Sequence, residues 1–153
     1  DIKIIEYIGE NEDQNSRILE VAAGCGQVSF ALEAIGFERV EFSEFDSRRL
    51  SYAEFLKQGL DSKVSIHGFD YRKLNLNEYG LIFVVNAVAS SIGVQDSKLL
   101  LDTIESGTDI ILKYGYYGID NKIFEVLDKN DAVRKDVIFS TNEEFRRYSR
   151  IAP

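Results

Sequence analysis

The 153-residue sequence has no methionine or tryptophan and only one proline, one cysteine and one histidine. A lone cysteine, Cys25, excludes an internal disulfide and makes the reducing cytoplasm the expected compartment. With His67 as the only histidine, no Cys/His transition-metal site can be built. Asp96, Asp102, Asp109 and Asp120 are scattered among helix caps and strand starts, and no hard-cation loop emerges, so no metal is expected. The only proline is Pro153, and no Pro/Gly/Ser linker, repeat or low-complexity run divides the chain, so one domain over residues 1–153 is expected. No apolar run approaches the ~20 residues of a membrane helix; the longest, residues 81–89, is interrupted by Asn86. No charged, apolar and small-residue succession opens the chain as a secretion signal would. Basic residues are also in deficit, 18 against 26 acidic, for a net charge of −8. Such a surface repels phosphate backbones, which disfavours nucleic acid as a partner. The one local basic group, Arg146, Arg147 and Arg150, reads as a solvated strand face.

What remains is a globular composition, 44% apolar and 29% charged, in which short apolar runs alternate with helical patterns. That alternation marks βαβ units and a mostly parallel sheet. Helices are expected over residues 2–8, 27–35 (with Gly36 as a left-handed cap), 47–58 (stopping at Gly59), from Asp96 or Ser97 through Ile104, and after the cap Asp120. Strands are expected over residues 17–22, 39–43, 63–67, 81–85, 109–113, 137–140 and 145–151. The turn Thr141-Asn142-Glu143 is too short for a parallel crossover, so the last two strands pair antiparallel. The expected architecture is a three-layer α/β/α sandwich, Rossmann-like, whose seven-stranded, mostly parallel sheet has an antiparallel last strand.

The functional signal lies in Ile18-Leu19-Glu20-Val21-Ala22-Ala23-Gly24-Cys25-Gly26. An apolar strand runs into a loop of small residues, and a helix follows at once. Gly24 and Gly26 let the backbone bend sharply and approach a ligand, and the helix N-terminus points its N–H groups at the same place. Eighteen residues after Gly26, Glu44 ends the second strand, where a carboxylate can accept both ribose hydroxyls of a nucleotide. A dinucleotide fold places a third glycine where this chain has Ser29. Glu20 would repel a pyrophosphate and suit a cationic amino acid moiety. Both points favour S-adenosylmethionine over NAD.

In these motifs residues 18–90 resemble the class I S-adenosylmethionine-dependent methyltransferases. The family's first motif is matched by Glu20, Ala22, Gly24 and Gly26, with Ala22 replacing the usual first glycine. By the same resemblance Glu44 is the ribose acid, Phe45 flanks the adenine, and Asp70, beside Tyr71 in Gly68-Phe69-Asp70-Tyr71, is the adenine-end acid. The fourth-strand motif falls on Val84 to Val88 and brings Asn86 to the methyl-transfer site. It lacks the Pro-Pro-aromatic continuation of amino-methylating nucleic-acid enzymes. Cys25 reads as a small apolar filler.

The expected function is methyl transfer to a small-molecule or sugar acceptor by proximity and orientation, with no catalytic base identified. Alternatives are a catalytically silent S-adenosylmethionine-binding partner subunit and, disfavoured by Ser29 and Glu20, an NAD-dependent oxidoreductase. His67 reads as a strand-end residue packed near the adenine in preference to a general base. Tyr114, Tyr116 and Tyr117 suit an acceptor-pocket wall and packing against the last helix equally well.

Overall fold

The computed structural model describes residues 2–85, 92–115, 119–138 and 144–152. Seven strands form one sheet in the order β3-β2-β1-β4-β5-β7-β6. These are β1 (Ile18–Val21), β2 (Val40–Ser43), β3 (Ser65–His67), β4 (Leu81–Val84), β5 (Asp109–Tyr114), β6 (Val133–Ile138) and β7 (Glu144–Arg150). All neighbours are parallel except β7, which runs antiparallel to both β5 and β6. The expected architecture is therefore present, with β7 inserted between its two predecessors.

Every residue of β1, β2 and β4 is buried, as helices covering both faces of a parallel sheet require. Helices α1 (Ile2–Asn11), α2 (Gln27–Ala34) and α3 (Ser47–Leu60) contribute Ile4, Ile8, Val28, Leu32 and Ala53 to one core, with Ile18, Phe42, Leu81 and Phe83 of the sheet. Helices α4 (Ser97–Glu105) and α5 (Asn121–Asp128) contribute Leu100, Ile104, Ile123 and Leu127 to the other, against Leu19, Val84 and Leu112. Each such fully buried aliphatic side chain stabilises the fold by roughly 1.5–3 kcal/mol.

Three boundaries differ from expectation. Helix α1 continues to Asn11. Helix α3 runs through Gly59 to Leu60 and ends on Asp61, whose φ of 52° is left-handed and whose N–H returns to Gln58 and Lys57; aspartate tolerates that conformation better than most residues. Strand β6 begins at Val133, four residues earlier than its sequence suggests, because it is the sheet edge and its Arg134, Lys135 and Val137 are exposed. Two 3-10 turns, Tyr71–Lys73 and Leu76–Glu78, link β3 to β4.

The basic group on β7 also departs from a solvated face. Arg146 and Arg147 are only 13% and 15% exposed at the side chain. Arg146 pairs with Asp128 and Glu144 and lies 3.6 Å from the Tyr114 ring centre. Arg147 pairs with Asp109 and Glu12 and donates to the Tyr7 hydroxyl, which ties α1 to the sheet. Arg150 is exposed.

Candidate cofactor site

The site is built at the carboxyl ends of β1 and β2, beside the point where strand order reverses between β1 and β4. Open α/β sheets leave a crevice there. The β1–β2 ladder extends one step past β1, with the Ala23 N–H donating to the Ser43 carbonyl at 3.2 Å. The chain then turns through alternate left-handed residues: Ala22 at φ 54°, Gly24 at 63° and Gly26 at 73°. The reasons for the two glycines differ. A Cβ on Gly26 would stand 2.4 Å from the Phe42 ring, whereas one on Gly24 would meet nothing nearer than Arg49 at 4.0 Å. Gly26 is thus required by close packing on β2, and Gly24 by backbone conformation with open space beside it. Ala22 adopts the same left-handed region without that freedom, at an L-residue cost of about 1–2 kcal/mol.

Glu44 folds back onto this loop. Its Oε2 accepts the Gly24 N–H at 2.9 Å, and its Oε1 accepts the N–H groups of Phe45 at 2.8 Å and Asp46 at 2.9 Å. Arg49 adds an ion pair at 3.8 Å, and Glu44 is 3% exposed. Three of a carboxylate's roughly four acceptor positions are therefore used, which leaves about one for a ligand. Beside it opens a shallow cleft lined by Ala22, Ser43, Glu44, Phe45, Phe69, Asp70, Tyr71 and Arg72. Ala22, Glu44, Phe45, Asp70 and Tyr71, anticipated from sequence, thus converge on one cavity. Phe45 stands 65% exposed at the rim.

Glu20 lies behind the loop, on β1. It is fully buried, and its Oε2 accepts both the N–H of Ser29 at 3.1 Å and the Ser29 hydroxyl at 2.7 Å. Ser29 is in the first turn of α2, so Glu20 supplies a cap that Gly26, having no side chain, cannot. Its other oxygen, Oε1, is buried with no hydrogen-bond partner. Burial pushes the Glu20 carboxyl up to about 7 against the counter-pull of the two Ser29 bonds. Glu20 does not line the cleft; its unused oxygen is buried behind the loop.

Other candidates separate. Asn86, Tyr116 and Tyr117 lie outside the described residues. His67 Nε2 lies 2.7 Å from Glu41 Oε2, in a cluster where Arg17 and Tyr79 also donate to Glu41; its ring stands 5.5 Å from that of Phe69, a lining residue. Tyr114 packs edge-on to Phe124 of α5, 4.9 Å between ring centres. Cys25 is half-buried in the loop. Among the described residues no group of three His, Cys, Asp or Glu converges to hold a metal ion, and no helix is long and apolar enough to cross a membrane. Arg72, not expected from the sequence, lines the cleft and pairs with both Asp70 and Asp96. Its position directly after the Asp70-Tyr71 motif was the available signal.

No protein-family model and no curated protein matches the sequence. Solved structures do. Magnesium protoporphyrin IX methyltransferase from Synechocystis PCC 6803 with bound SAM superposes with a TM-score of 0.71 at 13% identity, over 98% of this chain and 77% of that one. This chain has the class I SAM-dependent methyltransferase fold. A TehB-like SAM-dependent methyltransferase from Corynebacterium glutamicum shares the methyltransferase fold with a TM-score of 0.70 at 16% identity, over 97% and 88% of the two chains. The ribosomal protein L11 methylase from Lactobacillus delbrueckii subsp. bulgaricus shares it at 0.65 and 17% identity, over 97% and 78%. Proteins named for a small-molecule acceptor and for a protein acceptor thus share the methyltransferase fold.

Proposed function

We propose that this chain is an S-adenosylmethionine-dependent methyltransferase acting on a small-molecule acceptor. The observation that supports this most is the convergence of the left-handed loop, Glu44 and Asp70 on one cleft at the carboxyl edge of the sheet. When bound, S-adenosylmethionine supplies a methyl group activated on a sulfonium. The chain's residues fit the rest of that molecule by their chemistry. Glu44 retains an acceptor position for a ribose hydroxyl, Asp70 offers an acceptor to an adenine amine, and Phe45 and Tyr71 offer apolar faces. Gly24 leaves room beside the loop. By the sequence resemblance, Glu20 belongs to the amino acid end of the cofactor and Asn86 to the methyl-transfer site. The contribution to rate would be proximity and orientation.

The same geometry argues against a dinucleotide. The first turn of α2, where a pyrophosphate would dock, already has the N–H and hydroxyl of Ser29 committed to Glu20, which leaves a phosphate fewer donors there. Two features support a small acceptor over a nucleic acid: the net charge of −8, and the commitment of Arg146 and Arg147 to carboxylate partners.

Thermal denaturation with S-adenosylmethionine, S-adenosylhomocysteine and NAD in turn tests the reading. An adenosyl ligand at a hundred times its Kd should stabilise by about 2.7 kcal/mol. Stabilisation by NAD alone overturns the proposal. Methyl transfer to RNA with none to any small acceptor overturns its acceptor half.

A further inference from the structure

The wall of the cleft formed by Asp70 is set by a second residue. Asp70 caps the 3-10 turn Tyr71–Lys73, its Oδ1 accepting the Arg72 N–H at 2.9 Å. The Arg72 guanidinium then reaches two carboxylates at once. Its Nη1 donates to Asp70 Oδ2 at 2.7 Å, while Nε and Nη2 donate to Asp96 Oδ1 and Oδ2 at 2.6 and 2.9 Å. Asp96 is 3% exposed at the entry to α4, and its Oδ2 also accepts the Gly93 N–H at 2.8 Å. The guanidinium lies over the Tyr71 ring, 4.9 Å from its centre. A planar fork held on one side by a buried acid and below by an aromatic face has one orientation, and Asp70 Oδ2 is aligned to it while Oδ1 stays on the main chain.

We infer that Arg72 sets the base selectivity of the cleft: by fixing Asp70 in a single orientation through Asp96, it favours a purine bearing an exocyclic amino group over its 6-oxo counterpart. This rests on the reading of the cleft as an adenosine site. An ionised carboxylate only accepts hydrogen bonds. It pairs with an amine and repels an oxo group, and a polar site left unpaired discriminates strongly. The Asp70 side chain is 36% exposed, so without the Arg72 fork it keeps only the Oδ1 bond to the main chain and its Oδ2 edge is free to turn toward water. Arg72 acts through Asp70 and is a positioning residue. Lysine keeps its charge but reaches one acid at a time.

Calorimetric titration of the full chain with S-adenosylhomocysteine and with S-inosylhomocysteine, its 6-oxo analogue, tests this. The unsubstituted protein should prefer the adenosyl ligand by about tenfold or more. Arg72→Lys should weaken the adenosyl ligand about tenfold and leave the inosyl ligand unchanged, so that the ratio collapses. Asp96→Asn, which loosens the far end of the fork and keeps an acceptor for the Gly93 N–H, should shift the ratio the same way by less. It also carries the test should Arg72→Lys fail to fold. Mere structural damage would weaken both ligands alike, and an unchanged ratio in the variants overturns the role of Arg72 while leaving the cofactor site standing. Equal affinity of the unsubstituted protein for both ligands overturns the selectivity itself. Failure to bind either ligand overturns the cofactor reading and this inference with it.

Discussion

Replacing Glu20 by glutamine isolates the energetics of the buried carboxyl beneath the loop. Its ordinary value near 4.5 is raised to about 7 in the folded chain by burial. The folded state therefore binds the proton more tightly than the unfolded state, and stability must fall as pH rises between those two values. The favourable contribution is complete below about pH 4.5 and gone above about pH 7. Its span corresponds to about 3 kcal/mol. Glutamine cannot ionise. Its amide oxygen keeps both Ser29 bonds, but its amide nitrogen falls where Oε1 has no partner, at a cost of about 1–3 kcal/mol. At pH 5 the variant should be the less stable protein by that cost. By pH 8 the unsubstituted protein has lost its own ~3 kcal/mol, and the two should converge or cross. Urea unfolding of both at pH 5, 6, 7 and 8 measures this as a difference. Subtraction removes the contributions of Glu12, Glu41 and Asp96, whose carboxyls also shift on folding. A stability difference constant to about 0.5 kcal/mol across that range would refute the assignment.

The two loop glycines should respond unequally to alanine. Gly24→Ala, with open space around its Cβ, should cost about 1 kcal/mol in urea unfolding, and Gly26→Ala, pressed onto Phe42, about 2–4 kcal/mol. Equal costs would show that packing against β2 does not set Gly26. Ala22→Gly should raise stability by about 0.5 kcal/mol, the relief of left-handed strain less the extra freedom of the unfolded chain; a loss of stability would deny that strain. Glu44→Ala strips an acceptor from three backbone N–H groups and should cost about 2 kcal/mol. It should also abolish calorimetric binding of S-adenosylhomocysteine, and retained affinity removes Glu44 from the site.

The parts of this fold legible in sequence are those whose cause is local. Val21 to Gly26 shows its turn because small residues and a following helix leave few other geometries. Strand β4 announces itself because burial on both faces demands an unbroken apolar run, and β1 because its apolar residues lead straight into the small-residue loop. Strand β6 hid because an edge strand carries Arg134, Lys135 and Asp136 and loses its alternation. The site divides the same way. Glu44 and Asp70 stand at strand ends and are visible by position. Glu20 is visible in sequence as an acid before the loop, but its capping of α2 depends on how β1 and α2 pack. The partnership of Arg72 with Asp96 joins segments 24 residues apart, which no periodicity encodes. Arg146 and Arg147 looked solvated because their partners Asp128, Asp109 and Glu12 come from three other elements.

The insertion of β7 between β5 and β6 orders events during synthesis. Strand β6 leaves the ribosome before β7, yet its place in the sheet exists only beside β7. At about 5–20 residues per second, the nascent chain passes through an interval in which β5 has a bare edge and β6 has nothing to pair with. The final strand therefore acts as a latch, closing two edges with one insertion. A message truncated before Glu144 would forfeit both outer strands of that side and leave Ile110, Ile111 and Leu112 on an open edge, the kind of surface that recruits other chains.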